Sequence, residues 1–181
     1  MNSRIALLVL LSLFYFSNTM GQKYQTQAFD VIKQFDEAEL RYYPPVMKIQ
    51  SNGDFESLFR YISGGNETGT KIAMTTPVQM GNTTGEPVMQ FVLPSNYTSE
   101  NTPSAKDKNV QVLESESGHY IAIQYGGYTM DWREKKAAQK LRAIAHKYNL
   151  KLTGEPILMV YNSPYKVFNR KNEVLYKVDM N

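Results

Sequence analysis

Apolar positions along the chain follow two periods, and the switches between them mark its elements. Phe55, Leu58, Phe59 and Ile62 recur at i, i+3, i+4 and i+7, one face of an α-helix. Asp54 precedes them where free backbone N–H groups need an acceptor, and Gly64-Gly65 ends the run because glycine takes left-handed angles without strain. A second stripe, Ala137, Leu141, Ile144, Ala145 and Tyr148, predicts a longer helix over residues 131–148, with Asp131 and Glu134 resembling a capping box.

Period-two alternation predicts strands. Ala38, Leu40 and Tyr42 oppose Glu39, Arg41 and Tyr43, Pro44-Pro45 bends the ladder, and residues 46–50 resume it. Residues 71–76 read as a strand that Pro77 confines to an edge or an end, residues 81–86 as a turn, and residues 88–93 as a further strand. Residues 94–109 are polar and aperiodic, the longest loop. Residues 110–114 and 119–125 read as a hairpin about Ser117-Gly118. Strands at 157–161 and 174–178 complete the chain.

The order strand, helix, strand, strand occurs twice: 46–50, 54–63, 71–76 and 88–93, then 119–125, 131–148, 157–161 and 174–178. Each unit covers one sheet face with a helix, and two units shield each other's edges. The expected class is α+β: a distorted antiparallel β-barrel built from two β-α-β-β repeats with two flanking helices.

Composition changes the picture at the N-terminus. Residues 5–16 are almost continuously apolar after a single charge at Arg4, and Thr19 and Gly21 are small. That is the plan of a signal peptide over residues 1–21, and the run is short of the ~20 residues that span a bilayer. One domain over residues 22–181 remains, carrying a net charge of +2 once Arg4 is removed from a total of +3. So small a charge offers nucleic acid no electrostatic footprint. Cysteine is absent, which excludes thiol catalysis and cysteine–metal sites. Sequons at Asn66, Asn82 and Asn96 lie in polar, turn-like stretches and read as glycosylation sites of an exported chain.

Catalytic constellations do not emerge. His119 and His146 lack metal-ligand spacing, and there is no nucleophile elbow, phosphate loop or dinucleotide fingerprint. Phe55 and Phe59, bordered by Arg60 and Lys71, form either plain core or one wall of a site for a flat apolar anion. Nine methionines suit adaptable apolar space. The residues favour ligand binding over catalysis, with no catalytic residue assigned.

Four segments carry a resemblance: AELRYYPPVM, FRYISGGNETGTKIAMTTPV, YIAIQYGGY and YNSPYKVFNRKNEVLYKV. With them the sequence resembles the SOUL heme-binding protein family from about Phe29 to the C-terminus. The resemblance implies a distorted barrel of two β-α-β-β units and noncovalent binding of heme or a related porphyrin in a shallow apolar groove beside the first helix. It places the macrocycle on Phe55 and Phe59, with Arg60 and Lys166 at the propionates. Two departures stand out. Asn52 occupies a further basic position of that groove, and neither histidine matches an axial ligand, so heme is expected without one. Tyr42 and Tyr43 are phenols chemically able to ligate ferric iron. The expected partner is a small-molecule tetrapyrrole bound by a secreted monomer. The alternative is another amphipathic small molecule or a protein partner on the same fold.

Overall fold

The computed structural model describes residues 24–83 and 85–180. The expected signal peptide, residues 1–21, lies outside them. The strands are β1 (Gln25–Thr26), β2 (Asp30–Phe35), β3 (Ala38–Tyr43), β4 (Met47–Ser51), β5 (Thr75–Thr76) and β6 (Val78–Thr83). They continue with β7 (Glu86–Val92), β8 (Gln111–Glu114), β9 (Gly118–Gly126), β10 (Lys151–Val160) and β11 (Lys171–Asp179). Two helices are described, α1 (Phe55–Ile62) and α2 (Asp131–Lys147).

Nine strands form one antiparallel sheet in the order β2-β3-β9-β11-β10-β6-β7-β4-β8, and its ends do not close on each other. The architecture is the α+β arrangement of helices flanking a distorted, barrel-like sheet. Its duplication is visible in the order itself: β6-β7-β4 from the first unit meets β10-β11-β9 from the second at the β6–β10 pair. The helices lie on the same face of the sheet. Leu58 and Ile62 of α1 pack on Ile49, Met89 and Phe91, while Leu141 and Ile144 of α2 pack on Leu40, Ile121 and Val174. The opposite face holds a third cluster, Tyr43, Ala122, Met159 and Leu175.

Three local expectations are corrected. The first unit's third element is Val78–Thr83, beyond Pro77, and residues 71–76 contribute only the two-residue β5, which pairs parallel to β1. Pro77 has no N–H for the ladder, so pairing with β7 and β10 starts after it. Residues 110–114 and 119–125 are not a hairpin: β8 pairs with β4, while β9 pairs with β3 and β11. The run Ile121, Ala122, Ile123 is buried on both faces, and such a strand belongs inside a sheet with a neighbour on each side. Finally, the α2 N-cap is Met130, without a side-chain cap bond, and Asp131 is already helical.

Candidate functional site

The site expected from the sequence centres on α1. Asp54 accepts from the backbone N–H of Glu56 at 2.9 Å and of Ser57 at 3.3 Å. The Ser57 hydroxyl donates to Asp54 at 2.6 Å, and this bond is the leading reason the Asp54 carboxyl titrates below its ordinary range. At the other end Gly65 N–H closes on Arg60 C=O at 2.9 Å. A Cβ on Gly65 would lie 2.7 Å from that same oxygen, so only glycine lets the chain turn there.

The eight-residue helix divides its apolar side chains cleanly. Leu58, Tyr61 and Ile62 are buried, and the Tyr61 hydroxyl donates to Pro103 C=O at 2.5 Å. Phe55 and Phe59 stay 47% and 50% exposed. Their rings stack on each other with centroids 6.0 Å apart, and Phe55 meets the buried Phe91 edge-on at 5.1 Å. Ser57 and Tyr61 face the loop that leads to β8, through Asp107 and Pro103. Phe55 and Phe59 lie on the opposite shoulder, toward the middle of the sheet. There Phe91, under Phe55, pairs with Val78 of β6, and Val78 with Val160 of β10, both valines partly open to solvent.

The two basic candidates stand apart from those rings. Arg60 is about 100° round the helix from Phe59 and pairs with Glu56 at 3.2 Å and Asp107 at 3.4 Å. Lys166 is exposed on the β10–β11 loop and makes no ion pair among the described residues. That loop is tied down by Arg170, whose guanidinium donates to the carbonyls of Ser163 and Lys166, each at 2.7 Å.

The phenols and imidazoles are elsewhere. Tyr42 packs against His119 at 5.3 Å between ring centroids. Tyr43 is buried on the face away from the helices, where burial pushes its hydroxyl up to about 12 and Arg41 donates to it at 3.1 Å. A phenol in that setting does not fit an iron ligand beside α1. His146 is exposed on α2.

Of the sequon asparagines, Asn82 on β6 and Asn96 in the long loop are exposed. Asn66 is not a surface turn residue. It is 0% exposed, and its Nδ2, the atom a glycan would occupy, donates to Tyr61 C=O at 3.0 Å and Thr70 C=O at 2.6 Å. Its Oδ1 accepts from Thr70 N–H at 3.0 Å. In the folded chain Asn66 is a staple for the end of α1, its Nδ2 engaged by two carbonyls.

With this geometry in place, the chain can be set beside known proteins. The family model described as SOUL heme-binding protein matches residues 24–177, and the chain belongs to that family. It is 28% identical over 126 residues to heme-binding protein 1 of Xenopus tropicalis, covering 66% of each chain. It is 26% identical over 149 residues to heme-binding protein 1 of Sus scrofa, covering 78% of this chain and 72% of that one. The chain thus spans about two thirds of the length of the curated relatives it matches. Among solved structures, the EcmrR C-terminal domain aligns with a TM-score of 0.55 at 13% identity, covering 78% of this chain and 96% of that one. A hydrolase from Listeria innocua aligns with a TM-score of 0.57 at 12% identity, covering 79% and 92%. At such identities the likeness is one of fold alone.

Proposed function

We propose that this protein binds heme or a related tetrapyrrole noncovalently, with the macrocycle against Phe55 and Phe59 and its carboxylates reached by Arg60 and Lys166. Family membership supports the ligand class. The observation that carries the site is the pair of stacked, half-exposed phenylalanines on α1, which the core beneath them leaves unused. Phe91, on which Phe55 rests, continues across the sheet into the partly open Val78 and Val160, an apolar surface suited to a flat ring. Arg60 reaches a propionate by exchanging its exposed pairs with Glu56 and Asp107, interactions of small net strength in water. No imidazole stands beside α1, so the macrocycle is held through its faces and carboxylates. The protein acts as a binder or carrier, without a catalytic residue.

The leader-like residues 1–21 and the exposed Asn82 and Asn96 support export and glycosylation at those two positions. Peptide mass mapping of the secreted chain tests this: glycans are expected at Asn82 and Asn96 and none at Asn66.

Titration with hemin, followed at the Soret band, tests the binding site. A saturable shift is expected, strongly weakened in the Phe59→Ala, Arg60→Ala double variant. An absent shift, or one the double variant leaves unchanged, removes this reading. One observation favours a second reading: Arg60 is already paired and Asn52 replaces a basic position, so the groove has fewer free cations for two propionates. A less anionic amphipathic ligand fits that balance. Mass spectrometry of the ligand co-purified with the native protein separates the two.

A further inference from the structure

The register of the central strands carries a row of side chains across the helix face. Met89 pairs with Met80, Met80 with Leu158, and Leu158 with Val174. The ends of this row are covered, with Met89 under α1 and Val174 under α2. Its middle is not: Met80 is 37% exposed. Between α2 and the strands β6 and β7, with Gly53 just ahead of α1 at the rim, lies a cleft of about 450 Å³. Its α2 wall presents Asp131, Glu134, Lys135 and Ala138, and none of Phe55, Phe59, Arg60 or Lys166 lines it.

The charge on that wall is unbalanced. Asp131 and Glu134 make no ion pair among the described residues, against a single ammonium at Lys135. The nearby Arg133 is turned away, its guanidinium over Trp132 at 4.6 Å and donating to Gly126 C=O at 3.1 Å. Partial burial, and then the charge of Asp131, hold the Glu134 carboxyl above its ordinary range. A cation placed at this wall relieves both penalties at once, whereas a porphyrin carboxylate there meets repulsion. The exposed methionine of the floor, Met80, adapts to varied apolar shapes.

We propose that the cleft between α2 and the strands β6 and β7 is a binding site for a small organic cation with an apolar body, its charge facing Glu134 and its body lying on Met80 and Leu158. This site is separate from the phenylalanine pair and does not rest on the tetrapyrrole reading. Its recognition rule is opposite in sign: shape is read by the apolar floor, and charge by the two carboxylates of α2.

Tetraphenylphosphonium and tetraphenylborate are nearly the same shape with opposite charge, and together they test the rule. Trp132, the only tryptophan of the chain, is exposed beside Asp131 and serves as a fluorescence reporter, with calorimetry as the second measurement. Asn82 also borders the cleft, so the chain titrated carries no glycan there. Saturable binding of the phosphonium is expected, with the borate at least about tenfold weaker, the effect of one charge-assisted contact. Glu134→Gln lowers phosphonium affinity about tenfold and leaves hemin binding unchanged. Three outcomes overturn the proposal: no heat or fluorescence change with the phosphonium, equal or tighter binding of the borate, or an unaltered affinity in Glu134→Gln.

Discussion

Arg41 and Glu173, 132 residues apart, close a two-pronged hydrogen-bonded fork on the sheet face away from the helices, with both contacts at 2.9 Å. Tyr161 donates a third bond to Glu173 at 2.6 Å, and the ring of Phe29 lies 4.1 Å from the guanidinium. Glu173 is sealed from solvent. Burial alone would raise its carboxyl, but the Arg41 and Tyr161 hydrogen bonds outweigh that and hold it below the ordinary value of 4.5. Glu173→Gln leaves the buried guanidinium only the partly exposed carboxylate of Glu39, 2.7 Å away, and is expected to cost about 3 kcal/mol, whereas Arg41→Met with Glu173→Leu together cost less than either partner's removal alone. Because the folded carboxyl titrates low, its contribution is complete above the unfolded value and is lost as pH falls through the folded one. Urea unfolding of parent and Glu173→Gln from pH 7 downward should therefore show the gap narrowing only below about pH 4.5. A gap constant with pH would mean that the charge of Glu173 is not what matters.

Lys48 makes the opposite case on the same face. Its ammonium donates to Gln79 at 2.7 Å and Gln90 at 3.3 Å and has no carboxylate partner among the described residues. Burial lowers it from 10.5 to about 8. The unfolded chain keeps this proton up to about 10.5 while the folded chain releases it near 8. Between those values the unfolded state binds more protons, so the penalty of burying Lys48 is full below pH 8 and fades as pH rises. Against Lys48→Met, which carries no such proton, the parent should gain about 3 kcal/mol between pH 7 and pH 10.5. Denaturant unfolding of the pair at pH 7, 8, 9 and 10 reads this directly, since the tyrosines titrate alike in both.

The helices were legible because each keeps one apolar stripe. Ala137, Leu141, Ile144 and Ala145 are all buried, as the period requires. Strand neighbours were less so. Alternation says which face a residue occupies and nothing about which strand lies beside it, which is why β8 and β9 looked like a hairpin. AELRYY illustrates a second limit. Glu39, Arg41 and Tyr43 were assigned one face correctly, but a curled sheet buries that face too, and a charged pair inside it leaves no hydrophobic signature. Asp36 and Glu37 are exposed, and their pairing with Lys147 and Lys140 of α2 is a long-range contact that no local pattern announces. The candidate residues on α1 could not be divided between core and surface from the sequence, because Phe55, Leu58, Phe59 and Ile62 share one arc.

Asn66 tests whether a buried amide can be recognised by what it satisfies. Its side chain serves two carbonyls and one N–H at the end of α1 and in the following turn. Asn66→Ala is expected to destabilise the chain by about 2–3 kcal/mol, the penalty for leaving buried polar groups unpaired. Amide exchange at the last turn of α1 should accelerate more than exchange in α2. Equal acceleration in both helices would assign Asn66 a global packing role instead of a local one.

The division of labour on α1 is the sharpest prediction for function. Leu58 is wholly enclosed by the cluster around Ile49 and Phe91, while Phe59, one residue on, is half exposed and stacks on Phe55. Leu58→Ala opens a cavity in a packed core and should cost about 2–5 kcal/mol. Phe59→Ala gives up a stacking contact at the surface and should cost about 1 kcal/mol or less. For hemin the order reverses. Under conditions where both variants are fully folded, Phe59→Ala should lose about tenfold in affinity, and Leu58→Ala should stay within about twofold of the parent. Thermal unfolding and Soret titration on the same two proteins supply all four values. If Phe59→Ala unfolds as early as Leu58→Ala, Phe59 belongs to the core; if it unfolds late but binds hemin like the parent, the macrocycle lies elsewhere.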